Sequence, residues 1–198
     1  NWKKALDNKY LVGTILMDLS KAFDCIPHDL LIAKLYAYGF SLKTATYVYS
    51  YLKRRKQNVK IDDIFSELQT LISGVPQGSI LGPLLFLLYI NDLKQASEST
   101  LLLYADDSCI IYQNKDIKQI ETQLNHDFHN ICNWFIDNKL SIHLGEDKTK
   151  CILFAPKYKK NIEKKLNIFY QEIQIQQYSS VTYLGCILDQ AMTGEDMA

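Results

Sequence analysis

The sequence predicts a mixed α/β fold, a sheet covered by helices, and three observations carry that prediction. Short aliphatic runs bounded by polar residues recur along the chain, as strands do. Between them lie segments with apolar residues at helical spacing. The clearest is 116–138, where Ile117, Ile120, Leu124, Phe128, Ile131 and Phe135 share one face. The resulting order, β-α-α-β-β-α-β-β-α-β, is that of a sheet with helices on it. A chain of 198 residues, 47% hydrophobic and 22% charged, can bury a sizeable core, so neither disorder nor a fibre is indicated.

Taken in order, Asn1 to Asn8 reads as a polar lead-in. Tyr10 to Leu19 is short, aliphatic and ends beside an acid, like a buried strand. Pro27 and His28-Asp29 start a helix that Gly39 stops, and Ser41 caps a second helix reaching about Arg54. Gln57 to Ile61 and Glu67 to Ile72 alternate like two hairpin strands joined by Asp62-Asp63. Ser73 to Gly78 is a loop punctuated by glycine and proline. Ile80 to Lys94 is an apolar helix with Leu84, Leu85, Leu87 and Leu88 expected in the core. Thr100 to Tyr104 and Ser108 to Tyr112 are strands around a two-acid turn. Lys150 to Phe154 is another strand, Lys157 to Lys165 a charged connector, and Ile168 to Ile175 and Val181 to Leu188 close the chain as strands.

Several function classes recede on composition. Lys and Arg total 22 against 22 Asp and Glu, so net charge neither favours nor excludes a nucleic-acid partner. Cys25, Cys109, Cys132, Cys151 and Cys186 are odd in number and never spaced C-x-x-C, which suits reduced core residues better than disulfides or zinc. No N-terminal segment has signal-peptide design, and Ile80 to Ile90, broken by Gly82 and Pro83, falls short of the ~20 residues that span a bilayer. His126, His129 and Cys132 step by three along the long helix but have no second ligand pair, and a solvated face is expected there. Lys53 to Lys56 and the lysines at 157, 159, 160, 164 and 165 form two basic runs that could meet nucleic-acid phosphates.

Two acidic sites carry more specific chemistry. Asp18 ends an aliphatic strand, and Asp106-Asp107 sit between two others. A lone strand-end Asp is usually a turn former. If neighbouring strands bring the two sites together, however, the carboxylates repel by roughly 4 kcal/mol per pair at ~4 Å and an effective dielectric near 20. Such a cluster calls for cations, and oxygen-only ligands select Mg²⁺ or Mn²⁺ over Zn²⁺. Two such ions are suited to in-line phosphoryl transfer.

YADD at Tyr104 to Asp107 looks like the Y-x-D-D signature of reverse transcriptases. It stands with LMDLSKAFD (Leu16 to Asp24), SGVPQGSILGPLLFLLYINDL (Ser73 to Leu93), NKLSIHLGEDKTKCILF (Asn138 to Phe154) and VTYLGCILD (Val181 to Asp189). In order and spacing these resemble the successive palm motifs of non-LTR (LINE-type) retrotransposon enzymes, over nearly the whole chain. The resemblance implies an α/β (α+β) polymerase palm, an antiparallel sheet backed by helices, with part of the fingers and no thumb. One reverse transcriptase domain would fill 1–198, with the upstream fingers, thumb and endonuclease expected elsewhere in a larger polyprotein.

The same resemblance implies site roles. Asp18, Asp106 and Asp107 match the catalytic ligands of two Mg²⁺ or Mn²⁺ ions. Leu19, Ser20, Lys21 and Ala22 match the turn whose backbone faces the dNTP triphosphate. Phe23 matches the aromatic under the deoxyribose, and its bulk would oppose a 2′-hydroxyl. Gln77 and Gly78 match residues near nucleotide and template, and Lys148 a lysine near the departing pyrophosphate. Tyr183, Leu184 and Gly185 resemble the primer grip. RNA template, DNA primer and dNTP are the implied partners, with no membrane, in the nucleus or cytoplasm. Two rivals are a catalytically incompetent remnant that at most binds nucleic acid, and a palm-fold nucleotidyl cyclase, which has no use for the PQG and YLG motifs.

Overall fold

The computed structural model describes residues 2–145, 148–156 and 165–192. Helix α1 (Trp2–Asp7) leads into strand β1 (Leu11–Ser20), a short helix α2 (Ala22–Cys25), and helices α3 (His28–Ala37) and α4 (Leu42–Leu52). Four short strands follow: β2 (Lys56–Gln57), β3 (Lys60–Ile61), β4 (Ile64–Phe65) and β5 (Gln69–Thr70). Helix α5 (Leu81–Ile90) continues as a 3-10 segment (Asn91–Ala96) before β6 (Thr100–Tyr104) and β7 (Asp107–Asn114). Helix α6 (Ile117–Asp137), β8 (Ser141–Ile142) and β9 (Lys150–Phe154) precede the last strands, β10 (Ile168–Tyr170), β11 (Ile173–Ile175), β12 (Ser180–Tyr183) and β13 (Cys186–Asp189). No helix of the described residues is long and apolar enough to cross a membrane. The chain divides into two compact units, Asn1–Ser20 with Leu93–Asp137 and Ile142–Ala198, and Lys21–Asp92 with Asn138–Ser141.

The first unit is built on the sheet ordered β6-β7-β1-β8, with β9 also pairing with β1. Strand β1 runs antiparallel to β7 from Leu11↔Asn114 to Asp18↔Asp107, and antiparallel to β9 from Val12↔Phe154 to Leu16↔Lys150. Side chains alternate between the faces of a strand, and both faces here are covered, which is why β1 reads as an almost continuous apolar run. On one face Val12, Leu16, Cys109, Ile111, Ile152 and Phe154 pack with Ala5 and Leu6 of α1 and Val181 of β12. On the other, Gly13 lies under α6 so closely that an added Cβ would stand 2.4 Å from Ile120 Cγ2 and 2.7 Å from Leu124 Cδ1. Gly13→Ala is expected to overpack this contact and cost about 1–3 kcal/mol, read as a lower melting temperature. Buried Asp127 of α6 accepts from the amides of Glu98 and Ser99, both at 3.1 Å, and so anchors the entry to β6.

Helix α1 corrects the expectation of a polar lead-in. Ala5 and Leu6 are buried, and the Trp2 ring lies 5.1 Å from that of Phe154. Ile168 to Ile175 is likewise a hairpin, β10 with β11, instead of one strand, because Gln171 turns the chain at φ 53°. Val181 to Leu188 is also a hairpin, β12 with β13. Among the cysteines, Cys132 is buried in the α6 core instead of on a solvated face, and Cys186 is exposed at its strand; none is in a disulfide. Most of the connector Lys157 to Lys165 lies outside the described residues.

In the second unit Ser41 caps α4 as expected, its Oγ accepting from Thr44 N at 3.2 Å. Ile26, Leu31, Leu35, Leu52, Leu85, Phe86, Tyr89 and Ile90 are buried. The Lys34 ammonium of α3 reaches Asp92 Oδ1 at 2.6 Å and the Tyr89 carbonyl at 2.9 Å. The hairpin turns at Asp62-Asp63 as expected, but its ladder breaks into β2–β5 and β3–β4, and all four strands are exposed. Leu84 and Leu87, expected in the core, are half exposed, at 50% and 51%. Helix α5 is apolar all round, so periodicity could not say which leucines face inward.

Candidate active site

The acids of the first unit are positioned by strand register. In the β6–β7 hairpin Tyr104 pairs with Asp107, leaving Ala105 and Asp106 as a two-residue turn. Ala105 sits there at φ 53°, a left-handed conformation that a Cβ disfavours. Asp107 is the Cα partner of Asp18 on β1, so these two carboxylates stand on one face of adjacent strands. Asp106 remains in the turn beside them. Among the described residues no three His, Cys, Asp or Glu groups are grouped to hold a metal ion.

Lys148 enters this site from the segment before β9. Its Nζ lies 2.8 Å from Asp18 Oδ2, and that hydrogen-bonded ion pair raises the Lys148 pKa above the usual lysine value. Burial, followed by the charges of Asp106 and Asp18, holds the Asp107 carboxyl above the ordinary 3.8, with Lys148 opposing. Repulsion at Asp107 is therefore incompletely neutralised by the protein. Anionic oxygen donors on a rigid strand pair, still carrying that repulsion, fit a hard divalent cation.

Linkage gives this a measurable sign. A carboxyl whose native pKa is raised favours folding while protonated, and that contribution is lost as pH rises from 3.8 through the raised value. The metal-free chain is expected to lose melting temperature over that range relative to Asp107→Asn. Added Mg²⁺ or Mn²⁺ is expected to restore it, more at pH 7 than at pH 5. Thermal melts of both proteins across pH, with and without cation, check this.

The pair opens into a pocket of ≈ 330 Å³ whose lining includes Leu16, Asp18, Asp107, Lys148, Thr182 and Tyr183. The last two belong to β12, whose hairpin with β13 turns through Leu184 at φ 49° and Gly185 at φ 78°. Positive φ at both turn positions is the type I′ geometry that matches strand twist. The Tyr183 hydroxyl bonds to the Cys109 thiol, and burial pushes the phenol up and the thiol up to about 11. Leu184 is exposed at the hairpin tip. Of the Tyr183-Leu184-Gly185 segment, Tyr183 thus borders the acid pair.

Leu19 is buried and Ser20 ends β1, after which Lys21 turns the chain at φ 48°. Ala22, buried, and Phe23 open α2 in the second unit. Phe23 stacks on Phe86 at 4.7 Å. The loop carrying Gln77 is tied to this segment through Val75 N to Phe23 O and Gly74 N to Ile26 O, both 2.8 Å, and Ser73 Oγ to Asp24 O, 2.9 Å. Gln77 Nε2 donates to Asp24 Oδ1 at 2.9 Å. Gly74, at φ 81°, admits no Cβ, which would stand 2.7 Å from Asp24 O. Gly78 is exposed at φ 78°.

Sequence reasoning missed Asp24, His28 and Arg55 in this unit. His28 Nε2 and Arg55 Nη2 both meet the Gly74 carbonyl, at 2.9 and 2.8 Å. Arg55 is thus engaged with backbone inside the first basic run, and Lys53 lies over the Tyr49 ring at 4.9 Å. No local pattern marks such long-range partners; only the position of Asp24 at the end of the SKAFD motif hinted at one.

An antiparallel sheet that sets paired aspartates on adjacent strands, helices behind it, is a polymerase palm. A telomerase from Candida tropicalis, solved in complex with a TWJ fragment of telomeric RNA, shares the fold at TM-score 0.61 and 15% identity, over 96% of this chain and 31% of that one. The family model described as reverse transcriptase (RNA-dependent DNA polymerase) matches residues 3–188, and the chain belongs to that family. The probable RNA-directed DNA polymerase from transposon X-element of Drosophila melanogaster is 28% identical over 198 residues. The RNA-directed DNA polymerase from mobile element jockey of the same species is 28% identical over 199 residues. Each alignment takes 96% of this chain, which spans 21% of the length of either relative. Enzymes of the family use divalent metal ions.

Proposed function

We propose that the chain is the catalytic core of an RNA-directed DNA polymerase of a non-LTR retrotransposon, transferring dNMP to a primer 3′-hydroxyl. The observation that carries this is Asp18 facing Asp107 across β1 and β7, within a chain of this family. Asp18 and Asp107, with Asp106 from the turn, would hold two Mg²⁺ or Mn²⁺ ions. Bound there, such ions activate the attacking oxygen and stabilise the charge that develops in phosphoryl transfer.

The remaining roles belong to the protein's own groups. The backbone of Leu19, Ser20, Lys21 and Ala22 offers amides to the triphosphate, since exposed N–H groups bind anions. Phe23 lies under the deoxyribose and excludes a 2′-hydroxyl. Gln77 and Gly78 border the nucleotide and template. Lys148, close to Asp18, follows charge toward the leaving pyrophosphate. Tyr183, Leu184 and Gly185 hold the primer end. RNA template, DNA primer and dNTP are the partners, met in the nucleus or cytoplasm.

Primer extension tests the reading. With poly(rA)/oligo(dT), dTTP and Mg²⁺ or Mn²⁺, the chain is expected to lengthen the primer. Omitting primer or template should abolish the product. Product without a primer-template would instead favour a cyclase, and no product under any condition would contradict the proposal.

A further inference from the structure

The contact between Asp24 and Gln77 has a chemical direction. A carboxylate is an acceptor only, whereas a glutamine carboxamide has an oxygen acceptor and a nitrogen donor. Asp24 Oδ1, 2.9 Å from the Gln77 side chain, can therefore receive only its Nε2–H. The flip state of the amide is chosen by the carboxylate, and the Gln77 oxygen is directed away from it. Exchanging the two ends would set oxygen against oxygen.

The backbone prepares this pair. Asp24 contributes its carbonyl to Ser73 Oγ, and its neighbours Phe23 and Ile26 receive the amides of Val75 and Gly74. Buried His28 and partly buried Arg55 both meet the Gly74 carbonyl. Five hydrogen bonds between 2.8 and 2.9 Å thus fix the loop on the 23–28 segment or beside it. With both Cα positions held, little chain entropy remains to be lost when the side chains meet. The same segment carries Phe23, stacked on Phe86, so one clamp sets both the aromatic and the amide.

We propose that Asp24 is a positioning residue of the polymerase site, holding the Gln77 carboxamide with its oxygen presented outward as a hydrogen-bond acceptor. This rests on the polymerase reading for its consequence but not for its geometry. Asp24→Asn removes the direction, because an asparagine can accept from Nε2 or donate to Oε1. Gln77→Met removes the amide at similar length.

Two measurements on the full chain separate the pair from the activity. In ¹⁵N–¹H spectra, the Gln77 side-chain amide, assigned by its loss in Gln77→Met, is expected to be shifted from free glutamine. It should move part-way toward free values in Asp24→Asn, where the amide exchanges between its two orientations, while backbone signals persist. In primer extension, Asp24→Asn is expected to raise the KM for dNTP roughly three- to tenfold, with kcat nearly kept, as for loss of one hydrogen bond. It should add nothing in the Gln77→Met background. An amide unmoved by Asp24→Asn, or additive losses in the double variant, would overturn the proposal. A parent chain that extends no primer contradicts the polymerase reading, and the amide signals alone then decide the pair.

Discussion

Asp18→Asn and Asp107→Asn are each expected to lower primer extension by about a thousandfold or more. Metal-borne charge stabilisation supplies several kcal/mol, and about 1.4 kcal/mol is a factor of ten in rate. The register sets each opposite the other across β1 and β7. Stability should move the opposite way at Asp107. Its carboxyl is pushed up by burial and by Asp106 and Asp18, so the neutral amide relieves the metal-free chain. A variant as stable as the parent, or more stable, that fails to extend has lost chemistry and not its fold. Steady-state extension beside thermal melts of the same samples checks both halves.

Phe23→Val is expected to relax sugar selection. The ring stacks on Phe86 at 4.7 Å, so it cannot swing aside to admit a 2′-hydroxyl without losing that contact. Overpacking of this kind costs about 1–3 kcal/mol, equivalent to roughly ten- to 200-fold discrimination. The ratio of kcat/KM for dTTP to that for UTP should fall by that factor, chiefly through better use of UTP. Phe86→Leu should give a smaller change in the same direction by loosening the support. An unchanged ratio in Phe23→Val would remove the aromatic from this role.

The parts of the fold that could be read in the sequence are those whose physics is local. Strand β1 was legible because both of its faces are buried, which leaves an almost unbroken apolar run. Helix α6 was legible because only one stripe of it meets the core. Helix α1 was not, since Trp2, Ala5 and Leu6 make barely one turn of pattern and are covered, Trp2 only in part, by tertiary contacts with Phe154 and its neighbours. The apolar character of α5 hid its orientation, and Leu84 and Leu87 fell outside the core. At the site, the acids and Lys148 were recognisable by motif, but not their pairing. That Asp107 and not Asp106 stands opposite Asp18 is decided by a two-residue turn at Ala105-Asp106 and the register it imposes. The bonds of Asp24, His28 and Arg55 to the glutamine loop join residues 19 to 53 positions apart, beyond any periodicity.

The claim on which the account turns is that the paired carboxylates hold catalytic cations. Electron paramagnetic resonance of Mn²⁺ titrated into the full chain measures it without requiring turnover. The parent is expected to bind Mn²⁺, and Asp18→Asn and Asp107→Asn to lose that binding, with Mg²⁺ displacing Mn²⁺ from the parent. Mn²⁺ binding that is absent from a folded parent, or equal in all three proteins, would contradict the account and favour a remnant without catalytic competence.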